Sequence, residues 1–247
     1  MSKRFSTTRK DILTEFRYLK EDPDNPYRLG RHQVPKALEP EKDARLISSL
    51  WFRAIVPVTH TEFEPVFDQG DLGSCTANAA ISCLVTEPYG HKGVSLTEAD
   101  AVALYELETK LDDSQIPGEY PPQDTGSTGP WSMQALMKQG KIKDYIHATS
   151  THMALRMLNH GPISIGVPWF QSMFTVDEDG FIDFQPKSGL AGGHQVCIVA
   201  NDVDDQKILV RNSWGPDWGD EGHAWLAWES LDYLLAHGGD VVQPVMS

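Results

Sequence analysis

The texture of the chain changes once, near Pro162, and that change limits the architecture more than any other feature. Between about 75 and 145 the apolar residues recur at helical spacing. One helical run opens at Cys75 and stops before Pro88. A second is "TEADAVALYELETK", with Thr97 suited to cap its N-terminus. A third, "PWSMQALMKQG", has Pro130 at a helix-start position and Gly140 at its end. A short fourth, "STHMALRMLNHG", bridges to the second half. After Pro162, "ISIGV", "GFIDF", "HQVCIVAND", "KILVRNSW" and "GHAWLAW" are short apolar or alternating runs punctuated by Gly and Asp, as strands are. Helices followed by strands predict an α+β architecture: a helical subdomain (about 70–145), an antiparallel β subdomain (about 160–240), and a cleft between them.

Residues 1–50 read differently. They are polar, with the Pro- and charge-rich "EDPDNPYRLGRHQVPKALEPEKD", and predict an extended leader ahead of a folded domain at 51–247. The formal charge of the 247 residues is −14, yet residues 1–45 carry 11 Lys+Arg against 8 Asp+Glu, a net of +3. The remaining 10 against 27 give a net of −17, so a basic leader faces an acidic body. Such a body argues against nucleic acid as a partner, because phosphate binding needs a basic surface. The N-terminus lacks an apolar stretch long enough for a signal peptide, and no segment approaches a membrane span. Synthesis in the cytoplasm is therefore expected, with the final destination open. Cys83 and Cys197 both sit in apolar runs and are expected as buried free thiols.

The third cysteine, Cys75, follows Gly73-Ser74 and opens a helix of small residues in "DQGDLGSCTANAAISCLVTE". Free backbone N–H groups and the positive end of the helix dipole beside a sulfur favour its thiolate, the reactive form. A nucleophilic thiol needs a base, and the base needs an orienting partner. His194 in "GGHQVCIVAND" stands at the start of an apolar strand, after two glycines. Asn212 ends the next strand and is suited to accept from the imidazole N–H, while Trp214 would shield that hydrogen bond. Gln69, six residues before Cys75, carries an amide able to donate to an oxyanion together with the Cys75 N–H. No Cys/His cluster has metal-ligand spacing, and His147, His152 and His160 read as surface residues.

Gln69-Gly70-x-x-Gly73-Ser74-Cys75, then Gly193-His194-x-Val196, then Asn212-Ser213-Trp214-Gly215-x-x-Trp218-Gly219 together resemble the papain family of cysteine peptidases. The order Cys, His, Asn and the spacing inside each block carry the resemblance, which covers roughly residues 65–230. "GSCTANA" is closer to the family's bacterial and viral branch. The resemblance implies a papain-like fold with a barrel-like β half, peptide or protein substrates and no cofactor. It further implies that Gly126, Gly193, Trp214 and Trp218 lie along the substrate's path, and that part of residues 1–50 blocks the cleft as a propeptide does. Three departures stand out. Thr76 replaces the usual aromatic residue after the nucleophile, Leu72 stands where many relatives have a disulfide cysteine, and Gly193 replaces an aspartate. His194 follows Cys75 by 119 residues, a little short for the family. Two rival readings keep parts of this chemistry: a cell-wall amidase or transferase, which the Asn-Ser-Trp-Gly block argues against, and an inactive binding homologue, which retention of Gln69, Cys75, His194 and Asn212 argues against.

Overall fold

Helices form where spacing and punctuation place them. The computed structural model describes residues 25–34, 54–93, 95–112 and 118–246. Helix α1, Cys75–Leu84, is buried on every side, between α2 and α3 on one flank and the sheet on the other. Ala77, Ala79 and Ala80 allow that close approach. Helix α2, Glu98–Leu111, begins after Thr97, whose backbone N–H donates to the Asp100 carboxylate at 2.8 Å. Helix α3, Gly129–Lys138, has Pro130 in its first turn and is followed by Gly140 at φ +70°. The bridging helix α4, Thr151–Leu158, is capped by Ser150, whose hydroxyl accepts the Met153 N–H.

The strand-patterned half forms one antiparallel sheet of seven strands. These are β1 (Val58–Thr59), β2 (Asp144–Ala148), β3 (Ile163–Phe170), β4 (Leu190–Asp202), β5 (Lys207–Arg211), β6 (His223–Ala227) and β7 (Asp240–Val245). Their order is β2-β7-β3-β4-β5-β6, with β1 also on β4. Among the described residues the terminal strands β2 and β6 do not pair, so the barrel-like half that the resemblance implied is an antiparallel sheet that does not close on itself. The α+β class stands.

Four strands or α-helices lie outside the expected runs: β1, β2, β7 and helix α5 (Trp228–Ala236). Strand β7 was hidden by Pro244, which argues against a central strand. Its partner β3 pairs only with residues 240–242, so the missing N–H of Pro244 removes no bond on that side. Conversely, "GFIDF" makes only isolated bridges, Phe181 to Trp225 and Ile182 to Val176, beside a turn held by the Asp177 carboxylate.

Two large apolar cores form among the described residues, one under the sheet and one among α1, α2 and α3, with Val241 in the first and Val242 in the second; a small third joins Cys83, Cys197 and Val199. Strand β7 thus stitches the halves together. Where α1 meets β4, Cys83 and Cys197 are buried free thiols with sulfurs 3.6 Å apart. Arg211 is fully buried and binds the Glu62 carboxylate and the carbonyls of Glu64 and Pro65, which ties the approach to α1 onto β5. Among the described residues no helix is long and apolar enough to cross a membrane.

Candidate active site

The three sequence blocks converge at the N-terminus of α1. Cys75 is its first residue, preceded by Ser74 at the N-cap, and is completely buried. His194 lies within β4, paired across to Val167 of β3. Strand β5 runs antiparallel to β4, so the chain leaving Arg211 carries Asn212 back past His194. The His194 Nε2 is 2.8 Å from Asn212 Oδ1, which also accepts the Ser213 N–H at 2.8 Å. An oxygen there means that Nε2 carries the proton, which leaves the Nδ1 lone pair for another task. Nδ1 is buried with no hydrogen-bond partner among the described residues. The next residue, Gln195, turns its backbone N–H toward the Cys75 sulfur. The Trp214 ring stacks on the imidazole at 4.4 Å and 18°, and Trp169 meets it edge-on at 4.9 Å.

Gln69 is tied to the same corner. Its backbone N–H donates to Ser213 O, and its side-chain oxygen accepts the Ser213 hydroxyl at 2.6 Å. The amide nitrogen is 2.7 Å from Leu72 O and 3.3 Å from Arg28 O. Trp218 is buried behind Trp214, its ring edge-on and its N–H bonded to Phe174 O.

Residues 25–34 run across this corner; the rest of the expected leader, 1–24 and 35–50, lies outside the described residues. Tyr27 stacks on Trp214 at 4.7 Å. The Arg28 carbonyl accepts the Trp214 indole N–H at 3.1 Å and faces the Gln69 amide. Gly30 lies over Gly73, and its N–H turns toward the Cys75 sulfur. Beyond it, Arg31 donates to Gly193 O at 3.0 Å, while Gly30 and His32 bond both sides of Ser127. Gly126 has φ +70°, and a methyl there would stand 2.3 Å from Gly30 O. Glycine is thus required on both counts, conformation and room for a passing chain. Gly126, Gly193 and Trp214 therefore all touch a peptide segment, and that segment is the protein's own.

Burial in the folded chain reverses the expected electrostatics. The N-terminus of α1 was expected to favour the thiolate, but burial pushes the Cys75 thiol up to about 12, against the Gln195 and Gly30 N–H groups. Burial likewise lowers His194 to about 4, with Asn212 opposing weakly. Neutral thiol and neutral imidazole are the forms that a water-free cleft favours.

Several contacts were not foreseen. Thr76 is buried and its hydroxyl donates to the Glu108 carboxylate, on the inward face of α2. Burial raises Glu108 well above the usual carboxylate range, with the Thr76 hydrogen bond opposing, which favours its neutral form. Its spacing of four from Leu104 was the available signal. Asp124 accepts the Gly73 N–H at 2.9 Å, the Tyr105 hydroxyl and Arg28, holding the turn before Cys75. His147, read as a surface residue, is instead half-buried and bonded to Asp240 at 3.1 Å, because β2 pairs with β7; His152 and His160 are exposed.

Comparison with known proteins follows the same lines. The family model described as papain family cysteine protease matches residues 105–233, just over half of the chain. An uncharacterized peptidase C1-like protein of Acanthamoeba polyphaga mimivirus is 26% identical over 262 residues, covering 86% of this chain and 81% of that one. Cathepsin J of Mus musculus is 25% identical over 193 residues, covering 66% of this chain; the chain spans 56% of cathepsin J. Among solved structures, xylellain, a cysteine protease from Xylella fastidiosa, superposes with a TM-score of 0.66 at 18% identity, over 91% of this chain and 98% of its own. The ragweed pollen cysteine protease Amb a 11, in its proform, gives 0.55 at 16% identity, over 80% and 68%. These superpositions share the fold. With the family match extending through His194 and Asn212, the chain belongs to the papain family of cysteine proteases and is a cysteine-type peptidase.

Proposed function

We propose that the chain hydrolyses peptide bonds with Cys75 as nucleophile and His194 as acid–base group, and that residues 25–34 hold it shut until they leave. The observation that carries this reading is the His194–Asn212 pair, whose geometry presents an unpartnered, buried Nδ1 lone pair next to the residue that touches the Cys75 sulfur. When the segment withdraws, water enters and the desolvation that keeps both groups neutral is relieved. The Cys75 proton then passes to His194 Nδ1, and the thiolate gains from the free N–H groups of the first helical turn.

The thiolate attacks the substrate carbonyl, and the Gln69 amide with the Cys75 N–H receives the oxyanion. Loss of one such donor lowers rates by about 10² to 10³. The Arg28 carbonyl, now beside the Gln69 amide, occupies that neighbourhood in the closed chain. His194 returns its proton to the leaving amine as the C–N bond breaks, which leaves a thioester on Cys75. Water, deprotonated by the same imidazole, attacks the thioester and restores the thiol and the acid product. Asn212 orients His194, and Trp214 excludes water from their contact.

The test combines labelling and turnover. A peptidyl epoxide should modify Cys75, located by mass spectrometry, and fluorogenic peptide amides should be hydrolysed; Cys75→Ala should abolish both. Unlabelled Cys75, or equal turnover by the alanine variant, would refute the peptidase mechanism. Unchanged labelling after removal of residues 1–34 would refute the blocking role.

A further inference from the structure

Two arginines lie in the segment across the cleft, and their environments differ. Arg28 keeps 18% of its side-chain exposure, whereas Arg31 keeps none. The Arg31 guanidinium enters a pocket in the sheet and donates to Asp240 Oδ1 at 2.5 Å and to Gly238 O at 3.0 Å. Asp240 opens β7 and is itself 3% exposed; its other oxygen meets His147 Nε2 of β2 at 3.1 Å. Burial opposes ionisation of Asp240, but the Arg31 guanidinium and then the His147 ring hold its carboxyl below the usual range.

The pocket has room for that guanidinium because Gly166, opposite Asp240 in β3, has no side chain. A methyl there would stand 2.6 Å from Arg31 Nε, 2.8 Å from Asp240 Oδ1 and 2.4 Å from Gln195 Oε1. Around this side chain the backbone is gripped without regard to sequence, by Gly193 O and by both sides of Ser127. The preceding residue, Gly30, lies against the nucleophile. A peptide is thus held by its main chain, read by one side chain, and presented one residue away from the reacting sulfur.

We propose that Asp240, Gly238 O and Gly166 form a specificity pocket that selects an arginine side chain in the substrate, within two residues of the scissile bond, and that Arg31 fills it in the closed chain. The proposal rests on the peptidase reading above and on departure of residues 25–34. Once Arg31 leaves, His147 is the side-chain partner that remains to the buried carboxylate among the described residues, so a new cation is strongly favoured, because an uncompensated buried charge is costly. A planar guanidinium reaches both the carboxylate and the Gly238 carbonyl; an ammonium on a lysine offers a point charge without the fork. Apolar side chains would leave Asp240 unsatisfied and are disfavoured.

The experiment uses the full chain and fluorogenic peptide amides that carry Arg, Lys or Leu at each of the two residues before the cleaved bond. Every peptide competes with the same N-terminal segment, so ratios between peptides cancel the fraction of chain that is open. The expected result is Arg over Leu by at least about tenfold in kcat/KM at one of the two positions, with Lys between them. Asp240→Asn and, independently, Gly166→Ala should each lower the Arg/Leu ratio toward one. Equal turnover of Arg and Leu peptides at both positions overturns the proposal while leaving the peptidase reading intact, as does an Arg preference untouched by either substitution. Should a variant fail to fold, the wild-type ratio still decides. No turnover of any peptide and no epoxide labelling of Cys75 would overturn the peptidase reading, and this proposal with it.

Discussion

Replacing Gly30 with alanine should unseat the segment that covers Cys75. The new methyl would stand 1.9 Å from Gly73 O, 2.4 Å from its carbonyl carbon and 2.7 Å from its Cα, all backbone atoms with no rotamer to yield. Ordinary contact begins near 3.4 Å, so residue 30 must retreat by about 1.5 Å. Three main-chain hydrogen bonds depend on its position: Arg31 N to Gly193 O at 3.0 Å, His32 N to Ser127 O at 2.7 Å, and Ser127 N to Gly30 O at 3.0 Å. A shift of that size breaks bonds of such lengths. At a net worth of about 0.5–1.5 kcal/mol each, their loss removes roughly 1.5–4.5 kcal/mol from the closed state. The open population should rise by about 10- to 10³-fold. The assay is the native-state rate of Cys75 alkylation by iodoacetamide, followed by mass spectrometry, with thermal unfolding run in parallel to confirm an intact fold. A folded Gly30→Ala chain whose Cys75 reacts no faster than wild type would show that the segment does not govern access to the thiol.

Asn212→Ala should lower kcat/KM by about 10- to 10²-fold, as expected for a hydrogen bond to a charged imidazole worth about 1.5–3 kcal/mol, with kcat carrying most of the loss; an unchanged kcat would remove Asn212 from the mechanism. The closed state should weaken in acid. His194 is held at about 4 when closed against an ordinary 6.5, so opening takes up a proton and the seated segment loses stability as pH falls from about 6.5 toward 4. Asp240, depressed by Arg31 and His147, adds a second loss of the same sign below its ordinary 3.8. Hydrogen exchange at the Arg31 and His32 amides, corrected for intrinsic rates, should accelerate across that range, and a flat profile would contradict the burial argument. Glu108 has the opposite sign, since its raised folded pKa makes the native chain lose stability as pH rises above 4.5. Glu108→Gln should therefore raise Tm at pH 8 and not at pH 4, by about 2–4 °C for each kcal/mol recovered; equal Tm differences at both pH values would refute a buried neutral acid.

Local pattern carried much of the fold because its cause is local. Thr97, Pro130, Ser150 and Gly140 mark helix ends through backbone groups within a few residues, so α1 to α4 stood where their punctuation put them. The strands β3 to β6 were legible for the same reason, as apolar runs bounded by turns. Strand β7 and helix α5 were not. "DVVQPV" contains a proline that only the sheet order renders harmless, because β3 ends its pairing before residue 244. The three blocks proposed to carry catalysis were readable because each is a compact sequence motif whose residue types suit one chemistry. His147 was misread because nothing near it in the chain marks its partner, Asp240, 93 residues away.

By itself, then, the sequence determined the α+β class, and its motifs singled out Cys75 among three cysteines, with His194 and Asn212, as the proposed catalytic set. The tertiary structure alone decided what surrounds them. Arg31 and Asp240 are 209 residues apart, and no periodicity or motif links a charge to a partner at that distance. The ionisation of Cys75 likewise follows from how much water the folded chain leaves around the sulfur. A helix N-terminus favours a thiolate, but burial of the sulfur in the folded chain opposes it more strongly, and only the assembled cleft sets that balance.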